Sequence, residues 1–244
     1  MKPISNFFLI AFVLIAFGSF TYSKFNQAAV TGPMETQNRN VGGFHAISSS
    51  GSFDVELRQG NTEAVKVDAD AEVINEIVTE VKNGTLQIHS KNTHNWGNFW
   101  NNRHVKIFVT AKNLDNISLS GSGDFKIDNQ LNASNLALRI SGSGDFMGAI
   151  NVKTVAVSIS GSGDFKISGK AEESTVGISG SGDFSAGDLI TKSTAIRVSG
   201  SGDANVYASE KLDAVVSGSG DVHYGGHPKS VSKSAHGSGD ISGS

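Results

Sequence analysis

Gly121-Ser122-Gly123-Asp124 is the stretch on which the fold turns. The same four residues return at Gly142–Asp145, Gly161–Asp164, Gly180–Asp183, Gly200–Asp203, Gly218–Asp221 and Gly237–Asp240. The intervals between first glycines are 21, 19, 19, 20, 18 and 19 residues. A fixed period near 20 marks a solenoid, in which each repeat is one coil stacked on the last. Counting from each Asp, the residues seven before are Ile117, Leu138, Val157, Val176, Ile196, Ala214 and, in the last copy, Lys233. Those five before are Leu119, Ile140, Ile159, Ile178, Val198, Val216 and Ala235, and those one after are Phe125, Phe146, Phe165, Phe184, Ala204, Val222 and Ile241. Positions two apart in an extended chain share a face, so these residues point one way and form ladders inside a tube.

The fold expected is all-β: a parallel β-helix of short strands, each pairing with its equivalent one coil away at about 4.8 Å. Six intervals at that spacing make a regular part about 29 Å long. Glycine reaches positive φ without a Cβ clash, so a sharp corner can recur at each level. Ser and Asp side chains can satisfy the N–H groups that such a corner leaves unpaired.

Upstream the pattern loosens. Ala46–Leu57 carries apolar residues at the same offsets from Asp54 and reads as a degenerate capping copy. Ala64–Ala69 alternates like a strand, and Ala71–Asn75 is expected to hold one helical turn. Asn83-Gly84 suits a two-residue hairpin turn with φ > 0 at both positions, between strands ending at Lys82 and starting at Thr85. Val105–Thr110 is the next strand, and Asn113–Asn116 turns into the array. The layout is therefore a signal segment over residues 1–23, a flexible leader over 24–40, a hairpin-containing N-terminal capping region over 41–112 and the repeat array over 113–244. Residues 41–244 form one continuous domain.

The first 23 residues join Lys2 to an apolar run, Phe7–Phe20, followed by small residues at Thr21 and Ser23. This is the pattern of a secretory signal peptide, and the run is short for a membrane span. Retention as an N-terminal anchor is the alternative. Both send the protein out of the cytoplasm, to the periplasm, the outer-membrane surface or the medium. No stable membrane span is expected after cleavage. A net charge of −3 gives no basic footprint for nucleic acid. The absence of cysteine excludes disulfides and thiolate chemistry.

Three places are candidates for function. The Asp ladder, Asp124, Asp145, Asp164, Asp183, Asp203, Asp221 and Asp240, sets like charges about 4.8 Å apart, which repel by about 0.9 kcal/mol in water. Either backbone N–H groups hold the carboxylates, or cations bridge them. Ca²⁺ takes several oxygen ligands and is the cofactor such a row would accept. The Ca²⁺-binding nonapeptide β-roll shares glycines and Asp with this repeat, but its period is nine. The second place is the non-periodic loop Lys91–Arg103, where Trp96, Phe99 and Trp100 stand among asparagines. These rings either stack on a sugar or plug an open end of the tube. The third is His223 and His227 beside Tyr224, with His236 nearby. Their spacing converges on a helix, and this stretch reads as strand and turn, so a metal site is not expected.

Phe44, Ile47 and Gly51-Ser52-Phe53-Asp54-Val55, the hairpin Val81–Ile88, the strand residues Val105, Ile107 and Val109, and Leu114-x-x-Ile117-x-Leu119 leading into Gly-Ser-Gly-Asp together resemble the bacterial family described as "putative auto-transporter adhesin, head GIN domain". The resemblance spans roughly Phe44 to Gly226. It implies an exported, right-handed parallel β-helix of Gram-negative bacteria, a domain of unknown function with no catalytic residues to carry over. The expected function is adhesin-like binding or scaffolding at the cell envelope, to a surface glycan or an envelope protein, without catalysis. A carbohydrate-active enzyme built on paired carboxylates is the other class, but carboxylates that recur identically on every coil fit a scaffold better. A Ca²⁺-stabilised structural surface protein is a further alternative. The last coil leaves a strand edge that invites edge-mediated self-association.

Overall fold

A computed structural model describes residues 33–91 and 104–244. The signal segment, the start of the leader, and Trp96, Phe99 and Trp100 lie outside the described residues. The strands in chain order are β1 (Met34–Arg39), β2 (Ala46–Gly51), β3 (Asp54–Gln59), β4 (Ala64–Asp70), β5 (Ile77–Lys82), β6 (Thr85–Ser90), β7 (Val105–Ala111) and β8 (Asn116–Gly121). There follow the long β9 (Phe125–Gly142), β10 (Phe146–Gly161) and β11 (Phe165–Gly180), then β12 (Phe184–Ser185) and β13 (Leu189–Gly200). The last are β14 (Ala204–Tyr207), β15 (Lys211–Gly218), β16 (Val222–Gly225), β17 (Ser230–Gly237) and β18 (Ile241–Gly243).

From β8 onward every pairing between rungs is parallel, with one register shift between Met147 and Ala149 where β10 lies on β9, and Phe125, Phe146 and Phe165 are direct neighbours, as are Gly121, Gly142 and Gly161. This is the β-helix expected. The inward columns are continuous and buried: Ile117, Leu138, Val157, Val176, Ile196 and Ala214 line up on one wall. On another wall the phenyl rings of Phe125 and Phe146 stack at 5.4 Å, and those of Phe146 and Phe165 at 4.4 Å. Stacked rings bury a large apolar area and gain from their mutual geometry.

The corner is held by close backbone approach. First glycines take φ values from 126 to 159°. A methyl group built on Gly161 would overlap the carbonyl oxygen of Gly142, and one on Gly163 that of Gly144. The first glycine therefore supplies a backbone angle and both supply space. Gly142 in turn accepts from the N–H groups of Ser162, at 2.9 Å, and Gly163, at 3.2 Å.

The capping region contains more of the tube than its sequence shows. The degenerate copy is a true rung, with β2 pairing with β8 and β3 with β9. Gly51 has the corner's φ of 135°. Phe53 replaces the second glycine there, and its corner has no Gly-Ser-Gly corner before it. Strands β6 and β7 then add a further rung, parallel to β2 and β3 respectively. Leu86 continues the column of Ile47, and Ile107 that of Val55. The two strands of this rung end at Ser90 and begin at Val105, on either side of the position where other rungs carry Gly-Ser-Gly. Outside it lie antiparallel strands, β5 on β6 and β4 on β7. The β5–β6 hairpin turns at Asn83 (φ 50°) and Gly84 (φ 73°), as its sequence requires. The helical turn is a 3-10 turn at Ile74–Glu76, slightly later than expected.

One expectation is corrected. Part of the stretch read as a flexible leader, Met34–Arg39, is strand β1, antiparallel to β4. Its polar sequence carries no apolar alternation. Backbone pairing holds it, helped by the Arg39 guanidinium, whose Nη2 donates to the Ile74 carbonyl at 2.8 Å.

Candidate functional site

Each corner Asp looks outward at the end of its turn, and from Asp54 to Asp221 its Oδ1 accepts the backbone N–H of the Asp one rung on. Asp145 N–H donates to Asp124 at 3.0 Å, Asp164 to Asp145 at 2.8 Å and Asp183 to Asp164 at 3.0 Å. Asp203, Asp221 and Asp240 donate in turn to Asp183, Asp203 and Asp221, each at 2.8 Å. Asp54 begins the series, accepting from Asp124 at 3.1 Å across 70 residues of sequence. Of the two arrangements that relieve the charge row, the hydrogen-bonded one is present. A charge-assisted bond on each rung offsets the repulsion between neighbours.

Beside this row runs a groove of about 440 Å³. Its floor is the backbone over the buried Phe125, Phe146 and Phe165. One wall is Asp124, Asp145, Asp164 and Asp183, and the other is Lys126, Met147, Lys166 and Ser185. Strand alternation builds both walls: Asp, Phe and Lys follow one another in sequence, so the ring turns in and its neighbours turn out. Met147 is 52% exposed between the two lysines. Toward the N-terminal end the second wall continues through Glu56, which pairs with Lys126 in register, to Phe108. Lys66 lies 4.1 Å from the Phe108 ring centroid. Lys106 bonds Glu56 at 2.5 Å, and that hydrogen bond lifts the ammonium above its ordinary pKa.

The histidines do not converge. His223 Nδ1 meets Ser242 Oγ at 2.8 Å, His236 Nε2 meets Ser234 Oγ at 3.1 Å, and His227 sits in a turn with φ 52°. Among the described residues no three His, Asp, Glu or Cys side chains gather as a metal site. Sequence reasoning singled out the Asp wall but missed the groove, because the wall opposite has no constant residue type to betray it. Among the described residues no helix is long and apolar enough to cross a membrane.

The family model described as "putative auto-transporter adhesin, head GIN domain" matches residues 43–228. The chain belongs to the head GIN domain family. Crystal structures similar to this head GIN domain include a "putative adhesin" from Bacteroides fragilis, 26% identical, with a TM-score of 0.80 over 87% of this chain and 97% of that one. A "putative lipid binding protein" from Parabacteroides distasonis is 28% identical, with a TM-score of 0.68 over the same shares. A "putative adhesin" from Parabacteroides merdae, 17% identical with a TM-score of 0.67 and 87% and 97% covered, shares the fold. No curated protein matches the chain.

Proposed function

We propose that this head GIN domain is an exported, non-catalytic binding domain of the cell envelope, and that it holds an extended glycan along the groove beside the Asp ladder. The repetition of the groove walls carries this reading. The Asp wall offers the same acceptor on each rung, and Lys126 and Lys166 stand as donors two rungs apart. Equivalent positions in a row suit a ligand that itself repeats. A catalytic centre needs one unlike constellation, and the carboxylates here are alike. The description of the Bacteroides fragilis structure as a putative adhesin points the same way. Export follows from the signal-like segment at residues 1–23. Trp96, Phe99 and Trp100 are a second candidate contact, through ring stacking on sugar faces.

A glycan array decides between these contacts. The wild-type chain is expected to retain one class of linear glycan. The double variant Lys126→Ala, Lys166→Ala is expected to lose at least tenfold in affinity, about 1.4 kcal/mol. If Trp96→Ala, Trp100→Ala abolishes retention and the lysine variant does not, the loop is the site. A wild-type chain that retains no glycan sinks the reading.

A further inference from the structure

The inward column that begins at Leu86 and runs through Ile47, Ile117, Leu138 and Val157 to Ala214 is apolar and buried on every rung until β17. There Ala214 pairs with Lys233. Lys233 leaves β17 on the core side and crosses the mouth of the tube. Its Nζ donates to the Ile241 carbonyl on β18 at 3.1 Å and lies 4.6 Å from the Tyr224 ring centroid. We infer that Lys233 guards this mouth by chemistry, keeping it from joining that of a second copy of this chain.

Without that lysine the mouth is adhesive. Strand β17 pairs with β15 on one side, and no strand covers its other edge among the described residues. An open strand edge is a template for pairing. Val231, 41% exposed, and Ala235 stand in the inward columns of Leu212 and Val216, so another mouth laid on this one would extend the core. With Lys233 in place, that union buries an ammonium whose attractive partners, a carbonyl and a ring, cannot replace its hydration. It also brings two such charges together. A lysine on an edge strand pointing inward is a known way in which folded proteins blunt that edge. The opposite end of the tube presents no matching mouth, because β5 and β4 cover β6 and β7. Union is therefore mouth to mouth, with β17 antiparallel to its copy, and it closes at two chains.

Sedimentation velocity on the purified chain tests this. Wild type and Lys233→Arg are expected to be monomeric, and Lys233→Leu to double its weight-average mass as concentration rises. Lys233→Gln, which keeps a polar end and removes the charge, is expected to dimerise too and gives a second reading if the leucine variant does not fold by circular dichroism. Lys229→Leu adds the same apolar bulk on the exposed approach to β17 and is expected to stay monomeric. The pairing edge is checked in the Lys233→Leu background by Val231→Pro. Ser230 N–H points to the previous rung, donating to Glu210, so by alternation the N–H of Val231 points outward. Its removal is expected to restore the monomer. A monomeric Lys233→Leu, open fibres in place of dimers, dimers of Lys229→Leu, or a wild type already paired through this end would each overturn the inference.

Discussion

Asp164 accepts from the N–H of Asp183 while its own N–H is held by Asp145. Each corner carboxylate is thus an acceptor that its neighbour's backbone requires. The charge itself opposes the arrangement, since neighbours about 4.8 Å apart repel by about 0.9 kcal/mol in water. Acceptor and charge separate on substitution. Asp164→Ala removes the acceptor and is expected to cost about 1–2 kcal/mol, limited by water reaching an exposed corner. Asp164→Asn keeps an acceptor and relieves the repulsion, so its change is expected to stay within about 0.5 kcal/mol. Urea unfolding of both variants measures the difference. Equal destabilisation would show that charge, not the acceptor, holds the corner.

At the scale of the strand, the rungs differ where the interval shortens. Between Gly200 and Gly218 the repeat is 18 residues, and β14 ends at Tyr207 without the full second side that β9 to β11 possess. On the previous rung β12 pairs only with Ala204 and Asn205, so Tyr207 has no strand partner on that side. Two hydroxyls take that place: Thr194 Oγ1 donates to the Tyr207 carbonyl at 2.9 Å, and Thr191 Oγ1 reaches it too. Both threonines are buried, standing where the rung before has Ala171 and Ser174. Thr191→Val with Thr194→Val is expected to cost about 1–3 kcal/mol, the penalty for a polar group left unsatisfied. Each single change should cost less than half of that, because the other hydroxyl still serves. A double-mutant cycle in denaturant measures this, and additive single effects would refute a shared acceptor. A similar substitution occurs where β3 leaves the tube. The Asn129 side chain bonds both N–H and C=O of Gln59 at 2.9 Å, replacing rung contacts that β9 lacks below its second side.

These elements mark what the sequence made legible. The array from Ile117 onward, the rung at Ala46–Leu57 and the Asn83-Gly84 hairpin could be read because each depends on local periodicity or on a turn that only certain residues make. The rung formed by β6 and β7 could not. Its corner signal is replaced by residues 91–104, so nothing in the text of Thr85–Ala111 sets it in register with Ala46. Strand β1 was invisible because its hold on β4 is through the backbone, which any sequence supplies. The groove escaped because it arises between two columns, one constant and one variable.

At the scale of the whole domain, each rung touches only its neighbours, so stability accumulates along the tube. The core is not uniform. Phenylalanines fill its middle rungs, Ala204 and Val222 follow in the same column, and β17 is exposed along most of its length. The bonds between rungs also run along the tube axis, while the chain itself winds across it. A tether pulled from both ends therefore does not shear all these bonds together; it loads them a rung at a time, as a zipper opens. Single-molecule stretching should show small releases of about 19 residues, each about 65 Å of extended chain, beginning at the C-terminal rung. A single abrupt rip of the entire tube would contradict it.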